Sequence, residues 1–428
     1  MEYKWFATNK LHPNGTKLFD KCDLLQYNTF AAQYDALSSK GKGEYKGKDE
    51  FIFQKSGISL TPLNKNYQKL IAETSERVND QAQPETLVID NFVDNKTIID
   101  LLASIENEEY IKALYKKKKL KVSSGINTQD ANLLLECLRQ GRSLLEAGQK
   151  ADILAKPLID FYAATAFAYA LIVINSPLHK SINSLKGSHG HAYNHLNGTV
   201  DFGGDIPSGT FLDLLCAFPV AQIHTGNVDI KYSILDSVNF VQNNSISLSL
   251  LTLLSMVPEL TGYYKQVDKE HTSVHKLNID TSIINSKIQY NFYIGDGISK
   301  PNKEKICKCF NTNEEHIKDD QGGYKVSIEA DEVSSISPII YRDVRGNLWY
   351  VESPIDGLYL PEICLHFLII SALCNIMRYS PHEWSMILNN KVSPQFSLLI
   401  NRYISVFETK YPMILVNHLT DYSLRMGS

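Results

Sequence analysis

The sequence predicts a mainly α-helical body carrying an antiparallel β-rich insert, α+β overall. Three observations lead there. Two strongly apolar runs, FYAATAFAYALIVI (161–174) and ICLHFLIISALCNIM (363–377), stand far apart in the chain. They read as core helices that need each other's faces to escape water. Much of 66–260 and 361–425 places apolar residues at helical spacing. Between about 270 and 355 the pattern changes to alternation rich in β-branched and aromatic residues.

In chain order, residues 1–65 read as irregular, and the Gly- and Lys-rich SSKGKGEYKGKDEFIF (38–53) reads as a loop leading into a short strand. A helix is expected over 66–80, a strand over 85–92, and one or two helices over 95–121. The lysines 116–119 end that stretch as a solvated helix terminus, with cations near the negative pole of the dipole. Residues 128–154 have helical periodicity with Asp130 as the cap. Pro157 then opens a helix that is apolar on nearly every face and should run through the centre. KGSHGHAYNHLNGTVDFGGDIPSG (186–209) is dominated by glycine, histidine and turn formers, and predicts a long functional loop. Helices return at 210–218 and 245–260, where Pro258 bends or ends the second. Strands are expected at 274–280, 287–295, 324–330, 338–344 and 347–354, with VRGN (344–347) as a hairpin turn and 296–322 as an exposed connection. Helices follow at 361–378, 381–389, 394–408 and 411–425. These readings divide the chain into an N-terminal mixed region (1–125), a helical core (126–265), the β-rich insert (266–358) and C-terminal helices packing back on the core (359–428).

Composition limits function. The 428 residues are 43% hydrophobic and 21% charged, with a net charge of -4. There is no global cation excess to hold a polyanion, so any nucleic-acid contact needs a local patch. The start, MEYKWFATNK, lacks the apolar stretch of a signal peptide. The two apolar runs read as shorter than the roughly 20 residues of a membrane span. Seven scattered cysteines argue against a disulfide framework, and a reducing cytoplasm is the expected compartment. No P-loop, HExxH or nucleophile elbow is present, and no cofactor is expected.

Several clusters carry potential chemistry. HGHAYNH places His189, His191 and His195 at HxHxxxH spacing, which suits a metal held by neutral imidazoles or simply a shaped loop. Lys186, Gly187, Ser188 and His189 offer charge and backbone N–H groups to a phosphate or nucleotide. CKC (307–309) with His316 is half of a zinc knuckle at most. Glu259, in VPEL, is a carboxylate that could pair with Arg378 or Arg142. NIMRYSPHEW (375–384) gathers Arg378, Tyr379, Pro381, His382 and Trp384, either as a catalytic Arg–His pair or as a helix corner. In the corner reading Arg378 bonds helix carbonyls or a carboxylate and Trp384 packs.

KPLIDFYAATAFAYALIVI followed by GSHGH resembles the RPLLxYYxxLNLAKAL…HG core of the YaaC-like proteins, a bacterial family. SGTF (208–211), LLTLLSMVPELTGYY (250–264), RYSPHEW (378–384) and YPMILVN (411–417) resemble that family's later motifs in order. The similarity covers about 150–427. It implies a cytoplasmic, mostly helical protein without an assigned activity. The family's Asn-Leu-Ala-Lys is Ala166-Phe167-Ala168-Tyr169 here, so its lysine is absent. Residues 142–171 also resemble the first two helices of a HEPN-type bundle. That resemblance implies a metal-independent ribonuclease, with His382 taking the 2′-hydroxyl proton and Arg378 stabilising the phosphorane. The expected role is a binding, regulatory or accessory effector protein, with stress or phage defence as the setting by analogy. A nuclease using Arg378 and His382, and a nucleotide- or metal-binding enzyme centred on 186–209, are the alternatives. Arg142, Lys186, His189, Glu259 and Arg378 are the expected binding residues. A protein partner or a second copy is expected, with nucleic acid or a nucleotide as a further ligand and no membrane.

Overall fold

A computed structural model describes residues 6–9, 16–18, 33–37, 58–61, 85–89, 96–118, 125–420 and 422–426, apart from short gaps at 177–178, 180, 186, 205, 207–208, 226–227, 268–272, 285, 296–299 and 321. Four early strands are β1 (Phe6–Asn9), β2 (Thr16–Leu18), β3 (Ile58–Thr61) and β4 (Glu85–Ile89). Helices α1 (Lys96–Ser104), α2 (Glu108–Lys118), α3 (Thr128–Lys150) and α4 (Lys156–Asn175) follow. The next elements are β5 (His191–Asn194), β6 (Thr199–Phe202), α5 (Thr210–Cys216), β7 (Val220–Thr225), β8 (Val228–Ser233), α6 (Leu235–Asn243), β9 (Ile246–Ser249), α7 (Leu250–Ser255) and α8 (Thr261–Val267). The β-rich stretch holds β10 (Val274–Ile284), β11 (Lys287–Ile294), α9 (Lys303–Cys309), β12 (Ile317–Asp320), β13 (Gly323–Glu329), β14 (Ile339–Arg342) and β15 (Leu348–Val351). The chain ends with α10 (Glu362–Tyr379), α11 (Pro381–Leu388), α12 (Pro394–Leu419) and β16 (Tyr422–Met426).

The architecture is α+β. Helix α4 is the centre: it packs on α3, α5, α10 and α12. Proline near its start tolerates the lost N–H, because first-turn donors have no helical partner. Its small residues let neighbours approach. Ala163, Ala164, Ala168 and Ala170 are fully enclosed, and the Phe167 ring fills the notch left by Gly141 of α3. Helix α10 is buried from Ile363 to Cys374 and emerges only in its last turn. Each large side chain so enclosed contributes on the order of 2 kcal/mol. Both helices reach the length and apolarity of a membrane span, correcting the expectation that they were too short; 78% of the apolar window of α4 and 72% of that of α10 are buried inside the protein.

The β-rich segment forms one six-stranded antiparallel sheet in the order β12-β13-β11-β10-β15-β14. Its five central and edge strands fall where alternation placed them, and Gly346 at φ +86° makes the expected hairpin turn. The connection 296–322 is not only an exposed loop, since it carries α9 and β12. Other expectations change more. Asn127, not Asp130, caps α3, its side chain accepting from the Asp130 N–H. The loop 186–209 contains the β5–β6 hairpin, which pairs on with β9. The stretch 245–260 is divided among β9, α7 and a short 3-10 turn at Pro258–Leu260. The two last helices are one, α12, which passes through Pro412, and β16 pairs in parallel with β4. The expected helix 66–80 and the strand leading from 38–53 lie outside the described residues.

Candidate functional site

The two motifs singled out in the sequence, GSHGH and RYSPHEW, meet in space. Loop 188–190 is strapped to the start of α5: the Thr210 and Phe211 N–H groups donate to the carbonyls of Ser188 and His189 at 2.9 Å each. Glycine is required on both sides of this contact. A Cβ on Gly209 would lie 2.3 Å from the Ser188 carbonyl oxygen, and one on Gly190 would lie 2.9 Å from the Gly209 nitrogen. Gly190 also has φ +75°, the left-handed region that side chains disfavour.

The hairpin then reaches α10. His191 Nε2 and Ser371 Oγ are 2.5 Å apart, while His191 Nδ1 contacts the His189 carbonyl at 3.1 Å. Composition makes this a nucleophile–base pair, but Ser371 is 0% exposed, so no substrate can reach its hydroxyl. Burial pushes the His191 pKa down to about 4, and the ring stays neutral as a tie between hairpin and helix. One turn further, His195 Nδ1 lies 3.0 Å from Ser380 Oγ, and its ring meets Tyr193 and Tyr379 edge-on.

What remains facing outward is polar and cationic. Arg378 and Tyr379 are exposed on the final turn of α10, with the guanidinium 4.8 Å from the Tyr379 ring centroid. Among the described residues no carboxylate lies within ion-pair distance of Arg378. His189 sits edge-on to Phe161 at 4.9 Å, its Nδ1 buried without a hydrogen-bond partner. Its pKa is lowered first by burial and then by the positive charge of Arg378. Exposed Tyr162 adjoins Phe161.

Other expected site residues are placed elsewhere. Arg142 is committed to Glu106, through Nε at 2.5 Å and Nη2 at 3.1 Å, and to Glu146, so it joins the α1–α2 connection to α3. Glu259 does not pair with Arg142 or Arg378. Its Oε1 takes Lys410 Nζ at 3.2 Å and the Val344 N–H at 3.0 Å. Lys186 lies outside the described residues. The three histidines do not converge as ligands, because both ring nitrogens of His191 face protein groups and His195 is turned to Ser380. Among the described residues no group of three His, Cys, Asp or Glu is arranged to hold a metal. Cys309 contacts the Tyr350 hydroxyl, and burial pushes its thiol up to about 12, the opposite of a metal-ready thiolate. The corner reading of Arg378 is corrected in part: Trp384 is buried, but Arg378 is exposed and bonds no carboxylate. His382 is exposed on the first turn of α11, across the break at Ser380.

Ser371 and Ser380 escaped the sequence reading. Both lie in α10 or at its end, and a single hydroxyl within an apolar run gives no sign of which distant histidine it will meet. The family model described as YaaC-like Protein matches residues 101–419, a span that contains the loop, the corner and every helix from α2 to α12. No curated protein and no solved structure matches the chain.

Proposed function

The chain belongs to the YaaC-like protein family, and from that footing we propose that it acts as a binding protein whose ligand presents a phosphate or similar oxyanion to the corner formed by 188–195 and 378–380. The observation that carries this reading is the guanidinium of Arg378, exposed, over the Tyr379 ring and with no carboxylate within ion-pair distance among the described residues. Arginine recognises planar oxyanions through paired N–H donors, and an exposed aromatic ring beside it offers a stacking face. A regulatory or accessory role would follow from occupancy of this corner, the ligand bridging the 188–195 hairpin to the last turn of α10. The ribonuclease reading is less favoured. Arg378 and His382 lie on different helices, both turned to solvent, and no hydrogen bond or ring contact joins them among the described residues. Among the described residues a metal-centred reading has no converging ligands to support it.

The test is calorimetric titration with inorganic phosphate, adenosine monophosphate and a short oligouridylate, using wild type, Arg378→Ala and His189→Ala. Binding that weakens about tenfold or more on loss of Arg378 is expected, since a charge-assisted pair is worth about 1.5–3 kcal/mol. Equal affinity in Arg378→Ala would overturn the proposal. The same oligonucleotide incubated in EDTA checks the alternative: cleavage lost with His382→Ala would make the protein a nuclease.

A further inference from the structure

A second site lies away from the corner. A cleft of about 230 Å³ opens between the β7–β8 hairpin, strands β14 and β15, the start of α10 and the last turns of α12. Its lining mixes apolar side chains, Val220, Ile340, Leu348 and Ile414 among them, with polar ones such as Gln222 and Asn417 and two charged ones, Arg342 and Glu362. Arg342 donates from Nη1 to the Gly346 carbonyl at 3.0 Å and from Nη2 to the His224 carbonyl at 2.5 Å. Both acceptors are neutral, and they use two of the five N–H donors a guanidinium carries. Among the described residues no carboxylate stands within ion-pair distance of it. Burial already lowers its pKa, so its charge is incompletely compensated.

Glu362 does not fill that need. Its Oε1 lies 3.1 Å from Lys410 Nζ but is not aligned as a hydrogen bond. Burial and the neighbouring Glu259 raise its pKa to about 7, against the opposing pull of Lys410 and Arg342. At neutral pH a large share of Glu362 is therefore a neutral carboxyl with an O–H to donate. His418 supplies no second cation: it stacks on Phe218 at 4.6 Å, and burial holds its pKa near 3.

We propose that this cleft binds a small carboxylic acid, the ligand carboxylate lying on Arg342 and accepting a hydrogen bond from Glu362, its apolar body against Ile340, Leu348 and Ile414. A cationic ligand would meet Arg342 with like charge. A neutral amide would leave the guanidinium unpaired. The site shares no residue with the corner at Arg378, so each stands or fails separately.

The experiment uses three isosteric probes, benzoate, benzamide and benzamidine, titrated into the full chain. Benzoate is expected to bind saturably and benzamidine at least about tenfold more weakly. The groups facing Glu362 are Lys410 of α12, Glu259 before α8, Arg342 and Tyr341 of β14, and Tyr359. Benzoate affinity should fall about tenfold between about pH 6 and pH 8 as Glu362 loses its proton. Glu362→Gln should bind benzoate with a flat profile. Arg342→Gln should abolish binding. Because Arg342 also ties two loops together, Ile340→Trp fills the cleft from its rim as an independent check and should block benzoate too. Benzoate is itself a planar oxyanion suited to the corner, so the titrations are run in Arg378→Ala, where the benzoate binding that remains belongs to the cleft. No benzoate binding by Arg378→Ala, benzamidine binding as well as benzoate, or benzoate binding that survives Ile340→Trp in that background would each overturn the proposal.

Discussion

Lys410 is the buried cation on which this core depends. It lies 3.2 Å from Glu259 and 3.1 Å from Glu362, and also donates to the Arg342 carbonyl. One lysine thus joins the turn before α8, the start of α10, the middle of α12 and the end of β14. Removing one member of a buried ionic set leaves the others uncompensated, at about 3–5 kcal/mol. Lys410→Met is therefore expected to destabilise the protein by that order. The triple variant with Glu259→Gln and Glu362→Gln should recover most of the loss, as measured by urea denaturation midpoints. The sequence offered half of this. Glu259 was legible as a carboxylate wanting a cation, but two arginines were better advertised than a lysine lying within the apolar face of a long helix. The same limit hid Asp160, which is 0% exposed on α4 with neither carboxylate oxygen hydrogen-bonded. An acid inside an apolar run looks like an exposed position until the neighbouring helices are in place.

At the scale of elements, the α3–α4 contact depends on a missing side chain. A Cβ on Gly141 would stand 2.7 Å from the Phe167 ring. Gly141→Ala gains helix propensity but forces that ring aside, and overpacking of this kind costs about 1–3 kcal/mol. A lower thermal midpoint is expected, with Phe167→Leu in the Gly141→Ala background restoring part of it. Periodicity located α3, α4 and α10 closely, because their apolar faces repeat over many turns. It failed where elements are short. The β5–β6 hairpin was hidden by its histidines and glycines, which are turn formers when read singly. The β7–β8 hairpin and α6 lie in a stretch for which no element was expected. A break was expected between 408 and 411, yet α12 runs through it and through Pro412, its buried neighbours from Tyr411 to Val416 holding the turn in place. Of the candidate site, each motif was visible in the sequence. Their meeting was not, because a contact between His191 and Ser371 across 180 positions leaves no local pattern.

For the whole molecule, opposing buried groups set the response to pH. Burial raises the pKa of Asp160 to about 8 and that of Glu362 to about 7. The folded state holds these protons where the unfolded chain has released them, so the stability they give is complete below about pH 4 and is lost as pH rises through 7 to 8. His191, His366 and His418 go the other way, with burial lowering them to about 4, 3 and 3. Their contribution is present above about 6.5 and is lost as pH falls from there. Three histidines outweigh two acids on the acid side, and Asp160 alone acts on the alkaline side. The thermal midpoint should therefore peak near neutrality, and Asp160→Asn should flatten the decline between about pH 7 and 8.5 and steepen the acid limb, where one of the two opposing acids is gone. An unchanged alkaline limb in that variant would show that Asp160 is ionised in the folded protein.

The pairing of α4 with α10 has a consequence for biosynthesis. The ribosome completes α4 long before α10 exists, and the partner that covers it emerges only after the whole six-stranded sheet has been made. Throughout that interval the nascent chain displays an apolar helix of membrane-spanning length, with no face of its own to turn toward water. A polypeptide stopped just before α10 should bind chaperones or aggregate, whereas the same polypeptide extended through α12 should be released.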